Sequence, residues 1–183
     1  MTEIASRGQL LGALMRWVAV FVPAMLLLGF LSAAASNSGE QNVWFSALVK
    51  PDLYPPAQLF PIVWSVAYVL MGLALSMVVS ARGSAGRGLA IGVFTLHVAL
   101  NLVWSPLFFG GHRIVAALID IAAMDVTLAL SILLFARLRP VAALLLVPVM
   151  GWILFASLLN WQILTLNPGA DGAPDPAAVH VKF

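Results

Sequence analysis

The residues best suited to chemistry stand where polar atoms are costly. Asn101-x2-Trp104-Ser-Pro106-Leu-Phe108-Phe109-Gly110-Gly111-His112 ends one long apolar run and turns into another. Its amide and indole bring polar atoms that Leu, Val or Ala would not carry into lipid. Trp64 and Tyr68, and Trp152 and Asn160, stand at helical spacing in two further apolar runs. At about 100° per residue, His97, Asn101, Trp104 and Phe108 form one stripe. Phe60, Trp64, Ala67, Tyr68, Met71 and Leu75 form a second, and Pro148, Val149, Trp152, Ala156, Leu159 and Asn160 a third. Core packing explains any one of these stripes alone. Three helices that each offer an indole, with Tyr68, Asn101 and Asn160 beside them, describe a cavity wall for a flat, largely apolar ligand. Indoles supply stacking faces, and amides supply a few directional hydrogen bonds.

Two carboxylates, Asp120 and Asp125, lie within a fourth run. An ionisable group inside a span is a functional candidate whose partner should be named. His97 and Asp125 are equally far from the Gly110-Gly111 turn, roughly 20 Å at 1.5 Å per residue. Asn101 and Asp120 match in the same way. His97–Asp125 and Asn101–Asp120 are therefore the expected interhelical pairs, with Asp120–Arg113 as an alternative. Structural pairing is preferred to a proton role, because no second inward stripe of charges accompanies the aspartates. No nucleotide-binding glycine loop, HExxH or Ser/His/Asp set is present, and there is no cysteine. The three histidines fall in a helix, a turn and the tail, which makes a histidine metal site an unsupported reading.

The elements that must position these groups follow from composition. Of the 183 residues, 62% are hydrophobic and 9% charged, with a mean hydropathy of +1.03. A soluble domain carries roughly 25% charged residues, so the fold class is an all-α integral membrane protein. Its apolar runs reach the length of about 20 residues that a bilayer core requires of a helix, and the alternating pattern of a β-barrel is absent. The expected bundle has five transmembrane helices, about 17–35, 57–81, 88–109, 113–136 and 141–166. Together they form one domain over residues 1–167, followed by a flexible tail at 168–183. The first run resembles a signal peptide in its basic lead and Ala33-Ala34-Ala35, but is longer than an h-region; a retained helix is the reading. Short links make helices two to five sequential antiparallel neighbours. Residues 36–56 form the one long connection, with a short helix near Val43–Leu48 and an irregular Lys50–Pro56 segment rich in proline. It reads equally as a lid or as an aromatic belt at the headgroups.

Arg7, Arg16, Arg82, Arg87, Arg137 and Arg139 share one side; Lys50, Arg113 and Lys182 share the other. In an inner membrane the positive-inside rule puts the N-terminus in the cytoplasm. Gly88, Gly92, Thr95 and Ala99 line a small-residue face opposite the His97–Phe108 stripe. Gly88-xxx-Gly92 permits close helix approach, either inside the bundle or to a second subunit through Gly88, Gly92 and Ala99. The small net charge of +2 and the lack of a basic cluster argue against nucleic acid.

Several motifs together resemble the TspO/MBR family, the tryptophan-rich sensory proteins related to the mitochondrial translocator protein. They are Trp44-x5-Lys50-Pro51, Pro55-Pro56, Phe60-Pro61-x2-Trp64-x3-Tyr68-x2-Met71-Gly72, the Asn101–Gly110 stretch, and Pro148-x3-Trp152-x3-Ala156-x3-Asn160. The resemblance covers about residues 44–167 in order and spacing. It departs at Asp52, Leu53, His97, Asp125 and Val149. It implies a five-helix bundle, usually dimeric, with a pocket beneath the first loop. It also implies porphyrin or haem as ligand, with sterols or benzodiazepine-type drugs for some members, and no required cofactor or metal. Matched pocket positions are Trp44, Phe60, Trp64, Tyr68, Asn101, Trp104, Trp152, Ala156 and Asn160, to which the stripe adds His97 and Phe108. The implied function is a sensor, carrier or regulator that binds tetrapyrroles. A light-dependent porphyrin-degrading enzyme using Trp64 and Trp152, and a regulatory subunit of a membrane complex, are the alternatives.

Overall fold

The structure, a computed structural model, describes residues 7–174. Glu3, His180, Lys182, the Arg7 side chain and the tail beyond Pro174 lie outside the described residues. The described chain is all-helical: α1 (Arg7–Ala35), α2 (Val43–Ala47), α3 (Leu59–Val79), α4 (Arg87–Ser105), α5 (Ile114–Leu138) and α6 (Pro140–Leu166). A π-helical turn, Pro106–Gly110, continues α4. All but α2 are long and apolar enough to cross a membrane.

α1 begins ten residues before the expected Trp17. Its lead has no proline, and Leu10, Leu11, Ala13, Leu14 and Met15 are good helix formers that outweigh Gly8 and Gly12, so the end of the apolar run was not the end of the helix. The π turn has an identifiable cause. Pro106 has no N–H to give Leu102, and its ring crowds that carbonyl. The Ser32 hydroxyl of α1 donates to the freed Leu102 carbonyl at 2.6 Å, while the Gly111 N–H reaches back to the Pro106 carbonyl at 2.8 Å. An irregular stretch at membrane depth is tolerated when its backbone groups are satisfied in this way.

Around the bundle, α1 packs on α3, α3 on α6, α6 on α5 and α5 on α4; α4 touches α3 and α1 only sparingly. This corrects the expectation of sequential neighbours at one place, since a short link does not oblige α3 and α4 to lie face to face. Two glycines allow α1 to approach α3. A Cβ at Gly72 would stand 2.8 Å from the Val22 Cα, and one at Gly29 would enter the Tyr68 ring. The core between the helices is built on Met71, Ala74, Val78, Phe94, Met124, Leu128, Phe135, Leu146 and Ile153.

One further stripe position and one whole face call for comment. Pro148 is exposed, although Val149, Leu159 and Asn160 of its stripe are buried. Gly88, Gly92, Thr95 and Ala99 all face outward, and nothing lies within 4 Å of a Cβ built at either glycine. Internal packing of that face is therefore not what the bundle uses.

Candidate functional site

The long connection is folded onto the bundle end. Asn42 accepts from the Phe45 N–H at 2.9 Å, capping α2, and its side-chain amide donates to the Phe109 carbonyl at 3.2 Å. Trp44, Phe45 and Leu48 are thereby buried against Phe108, Phe109, Ile114, Ala117 and Ile163. An aromatic belt resting among headgroups would leave these rings outside; Trp44 is 2% exposed. Lys50 bridges the Phe45 and Leu48 carbonyls and sits 4.3 Å over the Phe45 ring. Burial lowers its affinity for a proton, and the Glu40 carboxylate opposes that shift. The Tyr54 hydroxyl donates to Glu40 at 3.1 Å. Burial, followed by this bond and the carboxylate's charge, raises the Tyr54 pKa.

The segment after α6 ties this loop down. Asn167 takes the Val49 N–H at 2.8 Å and donates to its carbonyl at 2.9 Å, pairing as a backbone strand would. Asp171 accepts from the Val115 N–H at 3.0 Å and so caps α5 from a distance; Arg113, which precedes α5, supplies no cap of its own. His112, in the left-handed region at φ 55°, stacks on Trp44 at 4.5 Å, and its ring pairs with the Ala173 carbonyl. Residues 168–174, expected to be part of a mobile tail, thus pack onto the loop. An open groove of about 330 Å³ runs between Trp44, Ala47 and Leu48 and this segment.

Beneath the loop, most of the expected site residues meet. Tyr54 contacts Phe60 at 5.2 Å, and Phe60 meets the edge of Trp152 at 5.7 Å. Trp64 stacks on Tyr68 at 5.5 Å, and the Tyr68 hydroxyl donates to Asn101 at 3.0 Å. The Trp104 indole N–H donates to Asn160 at 3.2 Å, whose amide donates to the Ile114 carbonyl at 3.2 Å. Trp104 also stacks on Phe108 at 4.9 Å, and Phe108 meets Trp44 at 5.6 Å. Ala156 packs beside the central core, one turn from both Trp152 and Asn160. The result is an aromatic wall from α3, α4 and α6, continuous with the loop. Along this wall three buried donors have no partner among the described residues: the indole nitrogens of Trp44 and Trp152, and the side-chain amide of Asn101.

His97 is placed apart from this wall. Its ring is fully buried between α4 and α5, 3.2 Å from the Met124 carbonyl and 3.4 Å from the Thr127 hydroxyl. The expected His97–Asp125 and Asn101–Asp120 pairs do not form. Asp125 accepts from Ser157 of α6 at 2.8 Å, and Asp120 Oδ2 is buried without a partner among the described residues. Equal distance from a turn fixes depth and leaves the facing side open. Among the described residues, no group of three or more His, Cys, Asp or Glu side chains is arranged to hold a metal.

Tyr54, Ser32, Gly29 and the Asn167–Ala173 segment were not anticipated as parts of this architecture. Tyr54 carried a signal, a tyrosine between prolines close before Phe60. The other roles depend on contacts across the fold that no local pattern announces.

The TspO/MBR family pattern matches residues 20–166. The tryptophan-rich protein TspO of Chlorobaculum tepidum is 39% identical over 154 residues, 82% of this chain and 96% of its own length. The translocator protein of Sus scrofa is 31% identical over 151 residues, 81% and 89% of the two chains. Protein CrtK of Rhodobacter capsulatus is 31% identical over 129 residues, 70% and 81% of the two chains.

Proposed function

The chain belongs to the TspO/MBR family, and from that premise we propose that it binds a porphyrin- or haem-type tetrapyrrole, acting as a sensor, carrier or regulator. The carrying observation is the aromatic wall of Phe60, Trp64, Tyr68, Trp104 and Trp152 under a folded loop, with the Trp152 and Asn101 donors unpartnered. A macrocycle is flat and apolar on its faces, which suits indole and phenyl stacking. Its peripheral carboxylates are acceptors, which suits the two free donors. Trp64 and Trp152 would hold the ring faces, and Asn101 and the Trp152 indole N–H would orient the polar edge. Trp44 and Phe108 join the wall to the loop, so loop and ligand share a surface. On this reading the loop is a lid, and the ligand enters by displacing it.

Two accompanying readings belong to the same proposal. A second copy packs on the outward Gly88–Gly92–Ala99 face, where no atom of the described residues fills the space beside the glycines. The end bearing Arg16, Arg82, Arg87, Arg137 and Arg139 is cytoplasmic if the protein resides in an inner membrane.

The test is a titration of purified protein in detergent with protoporphyrin IX, followed by tryptophan emission. Saturable quenching is expected, with weaker binding for Trp64→Phe and Trp152→Phe. Quenching that rises without saturation, as for porphyrin dissolved in the micelle, contradicts the proposal. Illumination of the same samples, followed by porphyrin absorbance, examines the degrading alternative. Degradation that survives both substitutions removes the two indoles from that role.

A further inference from the structure

We propose that a notch between α1 and the α3–α4 turn binds the phosphate headgroup of an anionic membrane lipid. The notch encloses about 260 Å³ and is walled by Ala13, Arg16, Trp17, Val20 and Arg82. It arises because α3 stops at Val79 while the antiparallel α1 runs on past that level to Arg7. Two guanidiniums therefore flank a recess at the bundle's edge. A guanidinium fork suits phosphate oxygens, and basic pockets between membrane helices suit lipid headgroups.

Neither arginine is otherwise engaged. Arg87 donates to the Val78 and Val79 carbonyls at the end of α3, whereas Arg16 and Arg82 are exposed and their guanidiniums have no hydrogen bond or ion pair among the described residues. Their end of the bundle carries five described arginines and no described acid. Glu40, Asp52 and Asp171 lie at the opposite end, and Asp120 and Asp125 lie within α5.

Depth agrees with the assignment. Trp17 to Ala35 spans roughly 28 Å at 1.5 Å per residue, close to the hydrocarbon thickness of about 30 Å. If Ala35 marks one boundary, Arg16 stands where the phosphates of the other leaflet begin. Trp17, stacked on Phe21 at 5.3 Å, sits at the level that indoles favour. An apolar track then descends from Arg16. Val20, Pro23, Leu27 and Leu31 are all exposed and lie within about 80° of one another on α1. A free phosphate ion uses only the cations; a lipid uses the cations and the track.

The test is native mass spectrometry of the full chain, delipidated and then supplied with phosphatidylglycerol or phosphatidylcholine of matched acyl chains. Retention of phosphatidylglycerol is expected to exceed that of phosphatidylcholine by about tenfold. Arg16→Gln/Arg82→Gln, and Arg82→Gln alone on the exposed turn, should abolish most of that preference. Arg16→Lys/Arg82→Lys should keep part of it, and Arg137→Gln/Arg139→Gln should leave it intact. Equal retention of the two lipids overturns the proposal, as does an equal loss in the Arg137/Arg139 variant, which would mean a diffuse basic belt. Complete displacement of phosphatidylglycerol by millimolar inorganic phosphate would assign the notch to a free anion and overturn the lipid.

Discussion

Polar atoms inside this protein are placed one against another, and residue-scale arguments rest on those pairs. The Tyr68–Asn101 and Trp104–Asn160 bonds each satisfy a donor that lipid could not. Ser32 does the same for the Leu102 carbonyl freed by Pro106. Asn167 joins the loop to the end of α6 with three bonds, two to Val49 and one to the Ile163 carbonyl. Removing it with Asn167→Ala should cost about 1–2 kcal/mol, since part of each bond is returned by water. Amide hydrogen exchange at Val49 should then quicken by roughly tenfold while the α5–α6 interface stays protected; unchanged exchange at Val49 would remove Asn167 from this role. Tyr68, Asn101 and Asn160 could be read from the sequence because they are polar groups at helical spacing within apolar runs. Their partners could not. Tyr68 meets Asn101 across α3 and α4, and Trp104 meets Asn160 across α4 and α6, so both pairs depend on how helices are ordered around the bundle. The carboxylate pairings failed for the same reason, because depth was known and facing side was not.

At the scale of elements, the outer face of α4 makes the plainest demand. Gly88, Gly92, Thr95 and Ala99 present a shallow surface to the outside, with Leu89, Leu96 and Val103 exposed nearby. Small residues allow backbones to approach, and van der Waals packing then drives association in lipid. If a second copy packs on this face as proposed, Gly92→Leu should shift the protein from dimer to monomer in sedimentation analysis without changing its helical content. An unchanged sedimentation profile would contradict pairing through this face. Helix number and type were legible in the sequence, since each span is an apolar run of membrane length. α2 was legible too, as a short apolar segment between polar and proline-rich stretches. The start of α1 was hidden, because a helix continues through good helix formers wherever the apolar run ends. Docking of residues 168–174 was hidden as well. Their composition lacks any apolar period, and they are held by Asn167, by Asp171 at the start of α5, by the Gly172 backbone N–H on the His112 carbonyl and by the His112 ring on Ala173.

The whole molecule is a bundle whose two ends differ. One end carries unopposed arginines and an open notch. The other is closed by a folded loop, tied by the segment after α6, over an aromatic wall. By the two proposals, a lipid anchor falls to the first end and a covered ligand site to the second, with α1 held close to α3 by Gly29 and Gly72 so that Tyr68 can reach Asn101. The central claim is that the ligand lies against that wall inside the bundle. The chain has no native cysteine, so single thiols can report position without background. Ala156→Cys places one between Trp152 and Asn160, and Ala85→Cys places one on the exposed turn between α3 and α4. Labelling of both by N-ethylmaleimide should be followed as protoporphyrin IX is added. Saturable protection at position 156 with none at position 85 is the expected result; no protection at 156, or equal protection at both, would contradict a ligand held within the bundle.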